Sequence, residues 1–386
     1  MIVGIDAHCI RGDGGSITHL REVLRVANPA AAGFTKVFLW SGRRTLERIE
    51  ERPWLEKIYE PVLDRGLIWR TYWSAMKVSA KAVEAGCDVL WVPGCSFVGS
   101  FRPYVAMSRN MLPFDWREMR RYGISSQFLK FFLLRFSQSY TYRRSTGMIY
   151  LTEYARAKVG AVVGKAPGDS RVIPHGIDPR FRPSPPGAPP ATNSEDPVFR
   201  LLYVSAIDMY KHQWHVVEAV ELLQRLGHSV ELVLVGPSLP AGGKKLRNAL
   251  TRFAGIRGSV EYVGLVLHAE LPRYYREADV FVYASSCENL PNILLEAMAS
   301  GIPIACSSRG PMPEILRDGG VYFDPEDPSD IASAIRQLIE SATLRREKAE
   351  LGLGYSRAYR WERCAMESFA YLADVALWHR ALGSVS

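Results

Sequence analysis

The 386-residue sequence is 47% hydrophobic and 23% charged, which excludes a disordered chain and, at this length, favours two cores over one. MIVGID carries no basic stretch ahead of an apolar one, and the apolar run FLKFFLLRF is broken by Lys130 and Arg135, so neither a signal peptide nor a spanning helix is expected. Charge is uneven: residues 1–180 hold 27 Lys and Arg against 16 Asp and Glu, and residues 181–386 hold 21 against 24, so the first half is expected to meet an anionic partner.

IVGID opens the chain as a buried strand. RGDGGSITHLREVLRVA follows as a glycine-rich turn and an amphipathic helix, with Leu20, Val23 and Leu24 on one face and Ser16 as the expected cap. KVFLW, VLWVP and YVAMS read as further strands, with WSAMKVSAKAVEAG as a helix between the first two of these. Strands alternating with helices at this spacing predict a parallel sheet covered on both faces. FDWREMRRYGISSQFLKFFLLRFSQSYTYRRS mixes aromatic and basic residues at helical spacing; Phe128, Phe131, Phe132 and Leu134 or Arg135 form either a membrane-resting face or an ordinary core face. GMIYL is a strand, and Thr152 caps the helix after it. PSPPGAPPATNSEDP (183–197) reads as a connection between domains.

The second half repeats the alternation more regularly: RLLYVSA, VELVLVGP, SVEYVGLV, VFVYA, IPIACSS and GGVYF are strands with helical patterns between them. Residues 211, 236, 264, 288 and 310 each follow a strand, at the edge where doubly wound sheets bind ligands. The stretch 280–301, VFVYASSCENLPNILLEAMASG, places Glu288 on a loop, a helix start near Pro291 and Glu296 on the helix. A helix N-terminus is an anion site, and two carboxylates beside it suit a nucleotide diphosphate sugar. The six cysteines (Cys9, Cys87, Cys95, Cys287, Cys306 and Cys364) form no C-x-x-C pair; reduced thiols of a cytosolic protein are expected, and no zinc site.

Residues 198–340 resemble the retaining family-4 glycosyltransferases of GT-B fold, through the E-x(7)-E pair in CENLPNILLEAMASGIPIACSS, the lysine of YVSAIDMYKHQ, LVLVGP, YVGLV…LPRYYREADVFVYAS and GPMPEIL…GGVYFDPEDP. The first half matches more loosely, through GDGGS, GMIYLTEYAR and VIPHGID. The resemblance implies an α/β chain with two doubly wound, Rossmann-like domains facing across a cleft. Residues 1–182 would form the acceptor-binding domain, 183–197 the linker and 198–360 the nucleotide-sugar domain. A C-terminal helix over 361–386 would pack back toward the first domain.

The resemblance also implies roles. Lys211 neutralises the leaving diphosphate and Glu288 orients the donor sugar, the two catalytic assignments. Glu296 holds the ribose. Asn289, Leu290, Pro291 and Asn292 meet phosphates or sugar hydroxyls, Gly264 and Val266 face the base, and Gly15, Ser205 and Gly236 line the donor site. Gly14, Ser16, Arg109 and Asn110 are the acceptor candidates, Arg109–Asn110 standing where relatives often have His-Asp. Two departures stand out. Ala206 replaces a second cation, leaving charge neutralisation to Lys211 or to a substitute such as Arg309, Lys244 or Lys245, and Leu290 and Asn292 replace small residues.

The expected activity is hexosyl transfer with retention from a nucleotide sugar, with GDP-mannose- or rhamnose-type donors favoured over UDP-sugars. The expected acceptor is lipid-linked or polysaccharide, as in bacterial surface-glycan assembly. No divalent metal or other cofactor, and no nucleic acid, is expected. The enzyme would sit peripherally on an anionic membrane surface at the cytoplasmic side. The alternatives are a nucleotide-sugar epimerase of GT-B-like fold and a basic membrane- or nucleic-acid-binding protein without catalysis.

Overall fold

The computed structural model describes residues 1–11, 14–164, 168–183, 198–253 and 259–383. β1 (Ile2–Asp6), α1 (Gly15–Val26), β2 (Lys36–Ser41), α2 (Arg43–Leu46), β3 (Leu55–Tyr59), α3 (Leu67–Tyr72) and α4 (Val78–Glu84) come first. β4 (Val89–Val92), β5 (Tyr104–Met107), α5 (Trp116–Arg120), α6 (Ser126–Arg144), β6 (Gly147–Tyr150), α7 (Glu153–Val163) and β7 (Asp169–Val172) complete the first run. The second run is β8 (Phe199–Val204), α8 (Gln213–Arg225), β9 (Val230–Val235), α9 (Pro240–Arg252), β10 (Val260–Gly264), α10 (Leu271–Glu277), β11 (Val280–Tyr283) and α11 (Asn292–Ala299). It ends with β12 (Ile304–Ser307), α12 (Met312–Leu316), β13 (Val321–Phe323), α13 (Pro328–Glu340) and α14 (Ala342–Ser356), and α15 (Trp361–Gly383) closes the chain.

Two parallel sheets result, in the orders β3-β2-β1-β4-β5-β6-β7 and β10-β9-β8-β11-β12-β13. The central strands are apolar along their length because helices cover both faces: VLWV of β4 and VFVY of β11 are wholly buried. In each sheet the order reverses beside its first strand, between β1 and β4 and between β8 and β11, where ligand crevices form in such sheets.

Two compact units hold the chain. The first contains Met1–Trp116, Ile124–Gly176 and the chain from Arg360; the second contains Arg117–Gly123 and Ile177–Tyr359. Helix α15 belongs to the first unit, held there by Tyr371, whose hydroxyl accepts from Met148 N at 3.1 Å and donates to Asp169 O at 2.6 Å. Gly147 lies beneath that hydroxyl; a Cβ there would fall 2.7 Å from it.

The units differ from the expected boundaries. Residues 117–123 and 177–182 belong to the second unit, and the expected linker 183–197 lies, but for Pro183, outside the described residues. β3 and β7 were not anticipated, because LEKIY and DSRV are edge strands with half their side chains in water. The stretch 114–145, read at helical spacing, forms α5 and α6, the latter capped by Ser125, which accepts from Phe128 N at 3.2 Å. Thr152 caps α7, accepting from Ala155 N at 3.1 Å. Ser16 does not cap α1: Gly14 occupies that position and supplies no side chain. On α6 the exposed stripe is Leu129, Leu133, Phe136 and Tyr140, whereas Phe131 turns into the core.

The cysteine expectation is corrected as well. Cys9 and Cys95 form a disulfide with their Cα atoms 5.6 Å apart. They are 86 residues apart in sequence, and the β1–β4 pairing brings the segments after those strands side by side. Cys87, Cys287, Cys306 and Cys364 are thiols outside any disulfide. Thiol titration of the unreduced, denatured protein is expected to find four thiols, rising to six after reduction; six from the start contradicts the pairing.

Candidate functional site

The segment after β8 carries Lys211 and the segment after β11 carries Glu288, so the reversal between these strands sets the two side chains against each other. Lys211 is buried, its ammonium 5.0 Å from the Tyr210 ring centre and 5.2 Å from that of Tyr283. It donates to Glu288 Oε1 and, at 3.2 Å, to the Tyr283 hydroxyl. The same carboxylate oxygen accepts from Tyr283 at 2.7 Å and from Ser285 at 2.6 Å. Burial pushes the phenols of Tyr203, Tyr210 and Tyr283 well up, so they stay neutral donors. The ammonium is therefore compensated within the unit. A buried charge of this kind requires a partner, and any incoming anion competes with Glu288 for it.

Gly236 and Gly264 meet at the ends of β9 and β10. Gly236 has φ +138°, and a Cβ there would sit 2.2 Å from Ser205 O. Its N–H donates to Gly264 O at 2.7 Å, and its carbonyl accepts from Tyr262 at 2.9 Å. Gln213 donates to Ser205 Oγ at 3.2 Å and Ala206 O at 3.0 Å, fixing the turn after β8. His212, left-handed at φ 53° and fully buried, has its Nε2 2.9 Å from Ser286 Oγ. Burial, then the charge of Arg121, pulls its pKa to about 3, so it is a neutral structural ring.

Glu296, on α11, is buried and already engaged. Its Oε1 accepts from His268 Nε2 at 3.0 Å and its Oε2 from Tyr275 at 3.3 Å. Arg180 Nη2 lies 3.0 Å from His268 Nδ1 and chelates Asp178. The Glu296 hydrogen bond raises the His268 pKa above its ordinary value. His268 has no role that its sequence context predicts; its one signal is its place two residues beyond Val266, in the segment after β10. Asn289 and Leu290 are buried beside Pro291, which caps α11, and Asn292 starts that helix. Ser205, Lys211, Gly236, Gly264, Val266 and residues 288–296 thus share the C-terminal edge of the second sheet.

Arg309 is not a spare cation for the missing one at Ala206. It chelates Asp324 at 2.7 and 2.8 Å and pairs with Glu326. Arg121 also binds Glu326, at 2.7 Å, so residues 117–123 enter this network from far upstream in sequence. The Arg121 hydrogen bond, ahead of Arg309's, holds the Glu326 carboxyl well below the usual range. Lys245 lies over the Trp214 ring at 4.8 Å.

The first unit holds the remaining candidates. Gly14 caps α1 at φ 142°, and Arg109 Nη2 donates to Gly15 O at 2.6 Å. Among the described residues, Arg109 Nε and Nη1 are buried with no partner. Burial lowers this guanidinium to about 10. Asn110 Oδ1 accepts from Leu112 N at 3.1 Å, shaping the turn after β5. Asp6, fully buried at the end of β1, accepts from Trp73 Nε1 at 3.1 Å and from His8 Nδ1 at 2.9 Å, a pair absent from the sequence reading.

Comparison with known proteins gives this geometry a class. Sucrose-phosphate synthase from Thermosynechococcus elongatus superposes with a TM-score of 0.73 at 19% identity, over 100% of both chains. HepE from Anabaena, solved with UDP and glucose, superposes with a TM-score of 0.66 at 18% identity, again over 100% of both. With its two doubly wound sheets, the chain has the GT-B fold. Residues 188–351 match the family Glycosyl transferases group 1, the stretch that also carries the motifs resembling family 4. O-antigen chain mannosyltransferase B of Escherichia coli is 33% identical over 111 residues, 29% of this chain and 29% of that protein. D-inositol 3-phosphate glycosyltransferase of Corynebacterium jeikeium is 30% identical over 206 residues, 50% of this chain and 49% of that one. The matched stretches span half or less of these relatives' own length.

The His268–Glu296 contact has a pH signature. A histidine pKa raised on folding contributes stability that is complete below its unfolded value and lost as pH rises through the folded one. In chemical denaturation, His268→Ala is expected to destabilise the protein more at about pH 5.5 than at about pH 9. Equal losses at both values contradict the pairing.

Proposed function

We propose that the protein transfers a hexosyl group, with retention, from a nucleoside diphosphate sugar to a lipid-linked or polysaccharide acceptor. The observation that carries this reading is the Lys211–Glu288 pair at the β8/β11 reversal, beside the start of α11 and inside the group 1 domain. Lys211 meets the diphosphate and stabilises the charge that develops as the bond from the anomeric carbon to phosphate oxygen breaks. Glu288, released from the ammonium, accepts from donor-sugar hydroxyls. Glu296 takes the ribose hydroxyls, with His268 as a second ribose contact. Backbone N–H groups of Asn289, Leu290 and Asn292 face the phosphates, and the Gly264–Val266 loop faces the base.

The acceptor hydroxyl attacks the face the phosphate leaves, and its proton passes to the departing phosphate oxygen. This route needs no protein nucleophile. It also needs no divalent ion, because Lys211 supplies the positive charge. Arg109, with two nitrogens unpartnered among the described residues, is the acceptor-side cation of the first unit. A GDP-linked mannose-type donor is favoured by the likeness to the O-antigen mannosyltransferase, while the fold neighbour solved with UDP keeps uridine donors in view. Work at a membrane surface is supported by the exposed stripe on α6, although no helix among the described residues is long and apolar enough to cross a membrane.

The test is nucleoside diphosphate release from a panel of GDP- and UDP-sugars, with and without glycolipid acceptor. Lys211→Ala is expected to lower turnover by about 10²-fold or more, the scale of one lost electrostatic stabiliser. Turnover within a few-fold of wild type in a folded Lys211→Ala protein refutes the assignment.

A further inference from the structure

In the first unit the segments after β1, β2 and β3 border an open cavity of about 640 Å³, lined by Arg11, Gly42, Arg43, Arg44, Thr45 and Asp64. Three guanidinium groups face one carboxylate, and that carboxylate is already engaged. Asp64 Oδ1 accepts from Arg43 N at 3.1 Å and Oδ2 from the Tyr59 hydroxyl at 2.9 Å. Gly42 makes room for this arrangement, since a Cβ there would fall 2.4 Å from Asp64 Oδ1. Among the described residues, neither Arg43 nor Arg44 is in an ion pair; Arg43 lies over the Tyr59 ring at 5.1 Å. Arg70 adds to the surplus of positive charge. Its Nε is buried without a partner among the described residues, and burial followed by the charge of Arg11 lowers its pKa. Such a lining suits a group with more than one negative charge, a diphosphate better than a phosphodiester.

From Asp64, in the cavity wall, the chain leads directly into an exposed apolar stretch at the start of α3. Arg11 donates to Asp64 O at 2.7 Å and to Arg65 O at 3.2 Å, which fixes it against the entry to α3. Arg65 lies 4.8 Å over the Trp69 ring. Beyond it, Leu67 is 70% exposed, Ile68 83% and Met76 65%. Soluble proteins seldom leave so many large apolar side chains in water along one short stretch. This flank continues toward the α6 stripe: Ser74 Oγ donates to Ser96 O at 3.2 Å, and Ser96 Oγ lies 2.9 Å from Ser137 Oγ on α6.

We propose that the Arg11–Arg43–Arg44 cavity binds the diphosphate head of a lipid diphosphate whose hydrocarbon chain lies on the exposed face of α3 and Met76. Cationic cavity and apolar face adjoin, and a single-chain amphiphile with a multiply charged head fits both at once. As a binding site this stands alone; as the seat of the acceptor's lipid carrier it rests on the glycosyltransferase reading.

Farnesyl diphosphate and inorganic pyrophosphate are the probes, titrated into the full-length protein by calorimetry, with farnesol and phosphatidylglycerol vesicles as controls. Wild type is expected to bind farnesyl diphosphate at least about 10-fold more tightly than pyrophosphate. Arg43→Gln/Arg44→Gln is expected to weaken both by about 10-fold or more, and Leu67→Ser/Ile68→Ser to weaken farnesyl diphosphate alone. Unchanged binding by the arginine variant overturns the proposal, as does farnesol binding as tightly as its diphosphate. So does vesicle binding that matches farnesyl diphosphate in its dependence on both pairs of residues. Nucleoside diphosphate binding is titrated in parallel. If it is present while farnesyl diphosphate fails, only this proposal falls; the converse result removes the glycosyltransferase reading and leaves the lipid site.

Discussion

A lysine ammonium buried among tyrosine rings requires a counter-charge, and that requirement organises the second unit. Lys211 meets it through Glu288, which is itself held by Tyr283 and Ser285. The pair exists because β8 and β11 are neighbours in the sheet although 75 residues separate the end of β8 from the start of β11 in sequence. Burying this pair stabilises the fold weakly at best, since desolvation of two charges offsets most of their attraction. Under the proposed function its value is as a poised exchange: an anion that enters would take over the ammonium and release a carboxylate able to accept hydrogen bonds from hydroxyl groups. Diphosphate and sugar would thus be recognised by the two halves of one ion pair.

Glu296 repeats the logic. Its two oxygens are already occupied by His268 and Tyr275, so it is preorganised and does not swing freely. A ribose that binds there must share these donors or displace them. The first unit meets the same topological crevice differently: at the β1/β4 reversal the Cys9–Cys95 disulfide bridges the two segments, and Asp6 is buried with His8 and Trp73 beside it. One unit closes its crevice with an exchangeable ion pair, and the other with a covalent bond.

The strands of the second sheet were legible because β8, β9, β11 and β12 are near-continuous apolar runs, and the motifs that single out Lys211, Glu288 and Glu296 follow those runs. What escaped depends on pairing across the sheet or on edges. LEKIY and DSRV are strands only because a neighbour offers them hydrogen bonds, and their half-polar composition hides this. The disulfide follows from β1–β4 adjacency, which spacing in sequence does not encode. WREMRRYG shows helical spacing, yet nothing in it says that Arg121 will bind Glu326, or that Tyr122 will donate to Asp208 at 3.0 Å. His268 escaped because its role comes from a carboxylate on another element. Arg309 looked available as a cation because its partners Asp324 and Glu326 sit beyond the following strand.

The most direct test of the central claim is a crystal structure with a nucleoside diphosphate bound. The exchange predicts Lys211 Nζ within hydrogen-bond distance of the terminal phosphate, Glu288 turned away from it, and a ribose hydroxyl on Glu296. A bound nucleotide that leaves the Lys211–Glu288 pair closed contradicts the account.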